Sequence, residues 1–282
     1  MVEDYSQRPS ADIFVPGGGD WRQALGRVTH LGIGAHPDDL EFMAFHGINE
    51  CLHGPGIFGG VVVTDGRGSV PEKGVRVEGL AGERAAEQRA AARLGNYGIM
   101  LQLGLASPSL EGEARGGLVE ELVDIFGQAR PRVVYTHNPA DRHRTHLAVC
   151  LAVVSALRAL PAEERPELVY GCEVWGDLDW LPESDRVRLD CGKNEALAEK
   201  LNALFLSQIR GGKRYDLAVQ GRRRAHATFD DPRTADAATM ITLAMDLSPL
   251  LSQPELAVEE FVGSIIDRFR RGVSERLHQI GP

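Results

Sequence analysis

Cysteine is scarce in this 282-residue chain: Cys51, Cys150, Cys172 and Cys191 lie far apart and form no CxxC pair. That argues against a disulfide framework and suits thiols kept reduced in a cytosolic protein. Long apolar runs are missing too. No stretch approaches the ~20 residues of a membrane-spanning helix, and the N-terminus MVEDYSQRPSADIF lacks a basic segment followed by an apolar one. Positive charge is in deficit. Forty acidic residues against 31 basic ones give a formal charge of −9, which argues against the basic face of a general nucleic-acid binder. A cytoplasmic protein with no nucleic-acid partner and no membrane span is expected. A small charged substrate and a homo-oligomer both stay open.

What is present is globular: 43% hydrophobic and 25% charged residues supply enough bulk for a sizeable core. Arg outnumbers Lys heavily, as in proteins from GC-rich bacterial genomes. Residues 1–22 read as an irregular arm ending in PGGGD, and 23–282 as a single domain. RVTHLGIG, GGVVVTDG, IMLQLG, PRVVYTH and ELVYGCEV read as strands. Between them DLEFMAFHGINECL, GERAAEQRAAARLG, GLVEELVDIFGQA and THLAVCLAVVSALRAL read as helices, the second stopped by Gly95. Such alternation predicts an α/β fold: a Rossmann-like, doubly wound, mostly parallel sheet flanked by helices. Beyond Trp180 the chain reads as mostly helical, including KNEALAEKLNALFLSQI and DAATMITLAMDLSPLL.

The first strand runs into GAHPDDLEF, which holds His36, Asp38, Asp39 and Glu41 within six residues. The start GIGAHP resembles a dinucleotide fingerprint, but the third Gly is missing and two acids stand where a pyrophosphate would need bare N–H groups. The acids could instead cap the first turn of a helix. Capping accounts for one Asp, poorly for the second, and not for His36. A metal accounts for all three. His36 and Asp39, three residues apart, can aim at one point. Asp38 is rotated away by about a quarter turn or more, and stands beside any water the metal holds. Such a set needs a further ligand, and YTHNPADRHRTHLAV offers His137, Asp141, His143 and His146 after another strand. A polar loop with Thr145 or Asp141 as helix cap is the plainer reading of that stretch. Both clusters fall at C-terminal ends of expected parallel strands, where an open α/β sheet forms its crevices. Two His and one carboxylate leave a coordination position open, as in catalytic zinc sites. The facial triad of non-haem iron oxygenases has the same composition, but it is built in a jelly-roll, and this chain alternates strand and helix.

With AHPDDLE and HRTH together, the sequence resembles the PIG-L (LmbE-like) family of zinc-dependent N-deacetylases, from about Arg27 to at least Leu160. The resemblance implies a Zn2+ hydrolase removing an N-acetyl group from a small amino sugar or its conjugate. It implies His36, Asp39 and His146 as zinc ligands, Asp38 as general base, and His143 as general acid or electrostatic partner. Arg84 is similar to the family's substrate-binding Arg. Where the family usually has H-P-D-H, this chain has Arg144 and Thr145 inside the motif, so support of His143 is expected from Asp141. The Asp that often contacts sugar hydroxyls after the third strand is replaced by LGLASPSLEGE. A metal-dependent amidase on a non-sugar amide is therefore the alternative, and a metal- or sugar-binding protein without turnover is the third reading. The basic run holding Lys213, Arg214, Arg222, Arg223 and Arg224 reads either as a solvated helix face or as a wall of the site. Trp175 and Trp180 read either as core residues, the plainer reading, or as a platform for stacking a sugar.

Overall fold

The structure is a computed structural model that describes residue 6 and residues 8–68, 79–110 and 115–281. Residues 1–5 and 7 of the expected arm and residues 111–113 of LGLASPSLEGE lie outside the described residues.

The strands are β1 (Asp12–Phe14), β2 (His30–Gly34), β3 (Phe58–Thr64), β4 (Ile99–Leu105), β5 (Val133–His137), β6 (Leu168–Cys172), β7 (Val187–Asp190) and β8 (Ile241–Asp246). They form one sheet in the order β1-β4-β3-β2-β5-β6-β8-β7. The central run from β4 to β6 is parallel. β1, β8 and β7 add antiparallel at its edges. The helices are α1 (Trp21–Leu25), α2 (Asp39–Met43), α3 (Phe45–His53), α4 (Leu80–Leu94), α5 (Arg115–Ala129), α6 (Arg144–Ala159), α7 (Glu195–Asn202), α8 (Leu206–Arg210), α9 (Tyr215–Thr228), α10 (Pro249–Ser252) and α11 (Val258–Ile280).

Side chains alternate across a strand, so each strand feeds both faces. Val61 and Val63 of β3 join Leu31, Ile33 and the apolar sides of α5 and α6 in one core. Val62 joins Leu40, Phe45 and Ile48 of α2 and α3 in the other. Burial on both faces is why GGVVVT is a continuous apolar run with no polar alternation. α6 contributes Val149, Val153 and Leu157, all fully buried. Each such side chain stabilises the fold by roughly 1.5–3 kcal/mol. No helix among the described residues is long and apolar enough to cross a membrane, and all four cysteines are free.

The structure departs from the sequence reading in four places. The arm is not wholly irregular, because Asp12–Phe14 pairs with β4. The helix after β2 breaks at Ala44 into α2 and α3. KNEALAEKLNALFLSQI likewise forms two helices, α7 and α8. Within DAATMITLAMDLSPLL the run ITLAMD is β8, with five of its six residues buried. Periodicity alone does not separate a fully buried strand from a buried helix segment, and that ambiguity produced the misreading.

β2 connects onward to β3 on one side, whereas β5 lies on its other side. The strand order therefore reverses between β2 and β5, and a crevice opens at their C-terminal ends. Both histidine-bearing loops leave from these two ends.

Candidate metal centre and cavity

The turn after β2 is tight. A Cβ on Gly34 would stand 3.0 Å from Asp39 Cβ, so any side chain here would crowd the turn that glycine leaves room for. Asp38 takes φ 99°, which non-glycine residues rarely adopt. It occupies the N-cap position of α2 without making a side-chain cap bond, so capping does not explain this acid. The strained backbone sends Asp38 and Asp39 in different directions.

Three donor atoms converge beyond the turn. His36 Nδ1 is 3.2 Å from His146 Nε2 and 3.3 Å from Asp39 Oδ2. His146 Nε2 and Asp39 Oδ2 are 3.5 Å apart. Ligands about 2.0–2.1 Å from a tetrahedral Zn2+ stand about 3.3 Å from one another, so the triangle has the edge lengths such an ion requires. The donor set fits a divalent metal. Asp39 Oδ2 also accepts the His36 backbone N–H at 2.7 Å, which favours its ionised form. Burial drives His146 down to about 4, leaving a neutral ring with a nitrogen lone pair to give.

Asp39, His137 and His146 form a second grouping close enough for a metal. His137 Nε2 already accepts the Ala35 N–H at 2.9 Å, and a neutral imidazole has one such lone pair to offer. His137 stacks on His146 with ring centroids 3.8 Å apart, and it supports the centre from the core side. His36, His143 and His146 are also close enough together, so His143 borders the same point.

Asp141 faces His146. Its Oδ2 lies 3.2 Å from His146 Nδ1 and accepts the Trp175 N–H at 3.2 Å, while Oδ1 accepts the His143 N–H at 2.8 Å. It touches the backbone of His143 and not the ring. A carboxylate on the outer nitrogen of a liganding His fixes its tautomer and orientation. His143 Nδ1 is buried with no hydrogen-bond partner among the described residues. Burial, and then the neighbouring His36, lower the pKa of His143.

Asp38 is buried, its N–H held by Gln88 Oε1 at 3.2 Å. Burial, then the charges of Asp39 and Glu41, raise its carboxyl well above the usual range. Glu41 turns away from the centre. Its Oε1 accepts Tyr97 Oη–H at 2.6 Å and Gln88 Nε2–H at 2.9 Å, and burial pushes it up to about 7.

The centre opens into a cavity of about 500 Å3, whose lining includes His36, Asp38, Asp39 and His143. Arg84 also lines it. Although only 1% exposed, this residue donates from Nη1 to Gly66 O and leaves Nη2 without a partner among the described residues.

The family model described as PIG-L, GlcNAc-PI de-N-acetylase, matches residues 31–157, the stretch that supplies every candidate ligand. Residues 31–157 belong to the PIG-L family. No curated protein sequence matches the chain. Among solved structures, GalB, the 4-carboxy-2-hydroxymuconate hydratase from Pseudomonas putida KT2440, is 15% identical at a TM-score of 0.62, covering 78% of this chain and 96% of its own. The N,N'-diacetylchitobiose deacetylase from Pyrococcus horikoshii is 15% identical at a TM-score of 0.61, covering 79% and 85%. The conserved protein TT1542 from Thermus thermophilus is 22% identical at a TM-score of 0.58, covering 82% and 99%. At these identities the likeness is one of fold.

The PIG-L segment supplies only part of the cavity. Beyond it, Val174, Trp175, Gln208, Lys213, Tyr215 and Arg222 contribute to the walls. Gln208 Nε2 donates to Pro37 O at 2.8 Å, tying α8 to the loop of the PIG-L motif. Nothing near Gln208 in the sequence signals this role, because its partner stands 171 residues away. Trp175, expected in the core, is 39% exposed and lines the cavity. Trp180 is half-buried against the core on the α5 and α6 face.

The basic run divides. Arg214 pairs with Asp216, and Arg224 with Glu195 and Glu199. Arg223 is fully buried and donates from Nη2 to Glu41 O and Phe42 O at 2.8 Å each, clipping α9 onto α2. Lys213 and Arg222 face the cavity. His226 pairs with Glu173 at 3.0 Å, and it is not among the residues lining the cavity.

Proposed function

We propose that the protein is a metal-dependent N-deacetylase that hydrolyses the amide of a small N-acylated amino sugar or its conjugate, in the cytosol. One observation carries this reading: the His36, Asp39 and His146 triangle beside Asp38 at the head of a cavity. His36, Asp39 and His146 would hold Zn2+, which supplies the positive charge that activates water and polarises the amide carbonyl. Asp141 keeps His146 in the tautomer that presents Nε2.

Asp38 is the base that takes the proton of the attacking water. Burial and the charges of Asp39 and Glu41 raise its affinity for that proton. His143, whose ring lines the cavity, donates a hydrogen bond to the charge that develops on the amide. Arg84, whose Nη2 has no partner among the described residues, orients the substrate's polar end.

A second reading rests on the cavity walls. Phe42, Val174, Trp175 and Tyr215 present a largely apolar lining, which favours an amidase acting on a non-sugar amide with the same centre. The test is turnover of N-acetyl sugars and N-acyl amino acids by zinc-loaded protein, with free amine read by fluorescamine and Asp38→Asn as control. Amine from the sugars alone supports deacetylation of an amino sugar, and amine from acyl amino acids alone supports the second reading. Metal-replete protein that releases no amine from any compound overturns both.

A further inference from the structure

Three cations converge on one dipeptide of the cavity wall. Arg142 donates from Nε to Trp175 O at 3.0 Å, and Arg222 from Nη1 to Val174 O at 2.6 Å. Lys213 Nζ stands over the Trp175 ring, 5.8 Å from its centroid. All three residues line the cavity. Each guanidinium carries five N–H donors, more than these carbonyls use.

The chain has nine more acids than bases, and many of its other cations are paired. Lys193 meets Glu50, Arg188 meets Asp230, and Arg224 meets two glutamates. Among the described residues, Arg142, Lys213 and Arg222 form no ion pair, and their side chains meet the Trp175 and Val174 carbonyls and the Trp175 ring. Among the described residues, the acids lining the cavity are Asp38 and Asp39, both at the metal end. The two ends are joined by rings: His36 to His143 at 4.9 Å, then His143 to Trp175 at 5.7 Å. The cavity thus has one end for the reacting bond and, past Trp175, a cationic end with no counter-charge among the described residues.

We propose that Arg142, Lys213 and Arg222 receive an anionic group of the substrate, a phosphate or a carboxylate, set apart from its N-acyl group. A neutral substrate would leave these three cations with no anionic partner among the described residues. An anion at the same place accepts charge-assisted hydrogen bonds from both guanidinium groups and the ammonium. The assignment deepens the deacetylase reading and rests on it for the other end of the molecule.

Binding and turnover test it separately. Zinc-loaded Asp38→Asn protein is titrated calorimetrically with N-acetylglucosamine, N-acetylglucosamine 6-phosphate and N-acetylmuramic acid. At least one anionic compound should bind tenfold or more tightly than the neutral sugar, and that advantage should shrink as salt rises. The better of the two identifies phosphate or carboxylate. Adding Lys213→Gln and Arg222→Gln should remove the preference. Lys213→Gln alone, at an exposed side chain, serves if the double change disturbs folding, and should reduce it severalfold. Equal binding of all three compounds overturns the proposal, as does a preference that survives the substitutions. Amine release by the unsubstituted enzyme is then read on the same compounds. An anion preference without amine release keeps the subsite and sinks the deacetylase reading. Amine release from all three together with equal binding keeps that reading and sinks the subsite.

Discussion

Asp141→Asn separates two roles for one carboxylate. In the structure Asp141 accepts from three groups: His146 Nδ1–H on Oδ2, the Trp175 N–H on Oδ2, and the His143 N–H on Oδ1. Asparagine has one oxygen and one NH2 in the same space. If its oxygen faces His146 and Trp175, its NH2 opposes the His143 N–H. If it is flipped, the NH2 opposes both of the other donors. Either way at least one buried donor loses its acceptor, which costs about 1–3 kcal/mol of folding stability. The outer partner of a metal-binding His is worth about ten- to a hundredfold in metal affinity. At 1.4 kcal/mol per tenfold, the loss is about 1.4–2.8 kcal/mol. The assay is a zinc competition titration against a chromophoric chelator, with circular dichroism confirming that the variant is folded. A folded Asp141→Asn protein that binds zinc as tightly as the parent would refute the argument. Asp141 would then only fasten the loop, and the role expected from sequence, support of His143, would be read in the pH profile of turnover.

Three further outcomes follow from the same geometry. His146→Ala should lose stoichiometric zinc by elemental analysis; full occupancy in that variant removes His146 from the ligand set. Asp38→Asn should keep zinc but lose on the order of a hundredfold or more in turnover, the usual scale for a general base, and undiminished turnover would remove Asp38 from that role. Tyr97→Phe strips the Tyr97 hydroxyl from the buried Glu41 carboxyl and should lower stability by about 1–3 kcal/mol in chemical denaturation. A change too small to measure would show that Glu41 finds another donor.

Much of the centre was legible because its residues come in two short stretches directly after strands. His36, Asp38 and Asp39 are local to one turn, and His143 and His146 to another. Parallel pairing of β2 and β5 then brings the two turns together. The orientation of Asp141 was not legible. Sequence adjacency suggested the His143 ring, yet the first turn of α6 carries His146 back over the carboxylate. The walls were less legible still. Trp175, Gln208, Lys213 and Arg222 are spread over nearly fifty residues, with no local pattern to tie them to a cavity. Apolar composition misled at β8, where burial on both faces erases the alternation that marks a strand.

The cavity's mixed parentage has a consequence for how the chain can change. The candidate ligand triangle and Asp38 lie within residues 31–157, whereas Lys213 and Arg222 come from the run that leads into and forms α9. Arg223 anchors that run on the backbone of α2, and Gln208 anchors the preceding helix on Pro37. These bonds go to main-chain oxygens, which every residue type supplies. New side chains at 213, 215, 219 or 222 therefore leave both anchors intact. Selectivity can drift here by ordinary point mutation while the reactive centre stays as it was, and a library confined to these four positions is the place to re-aim the enzyme.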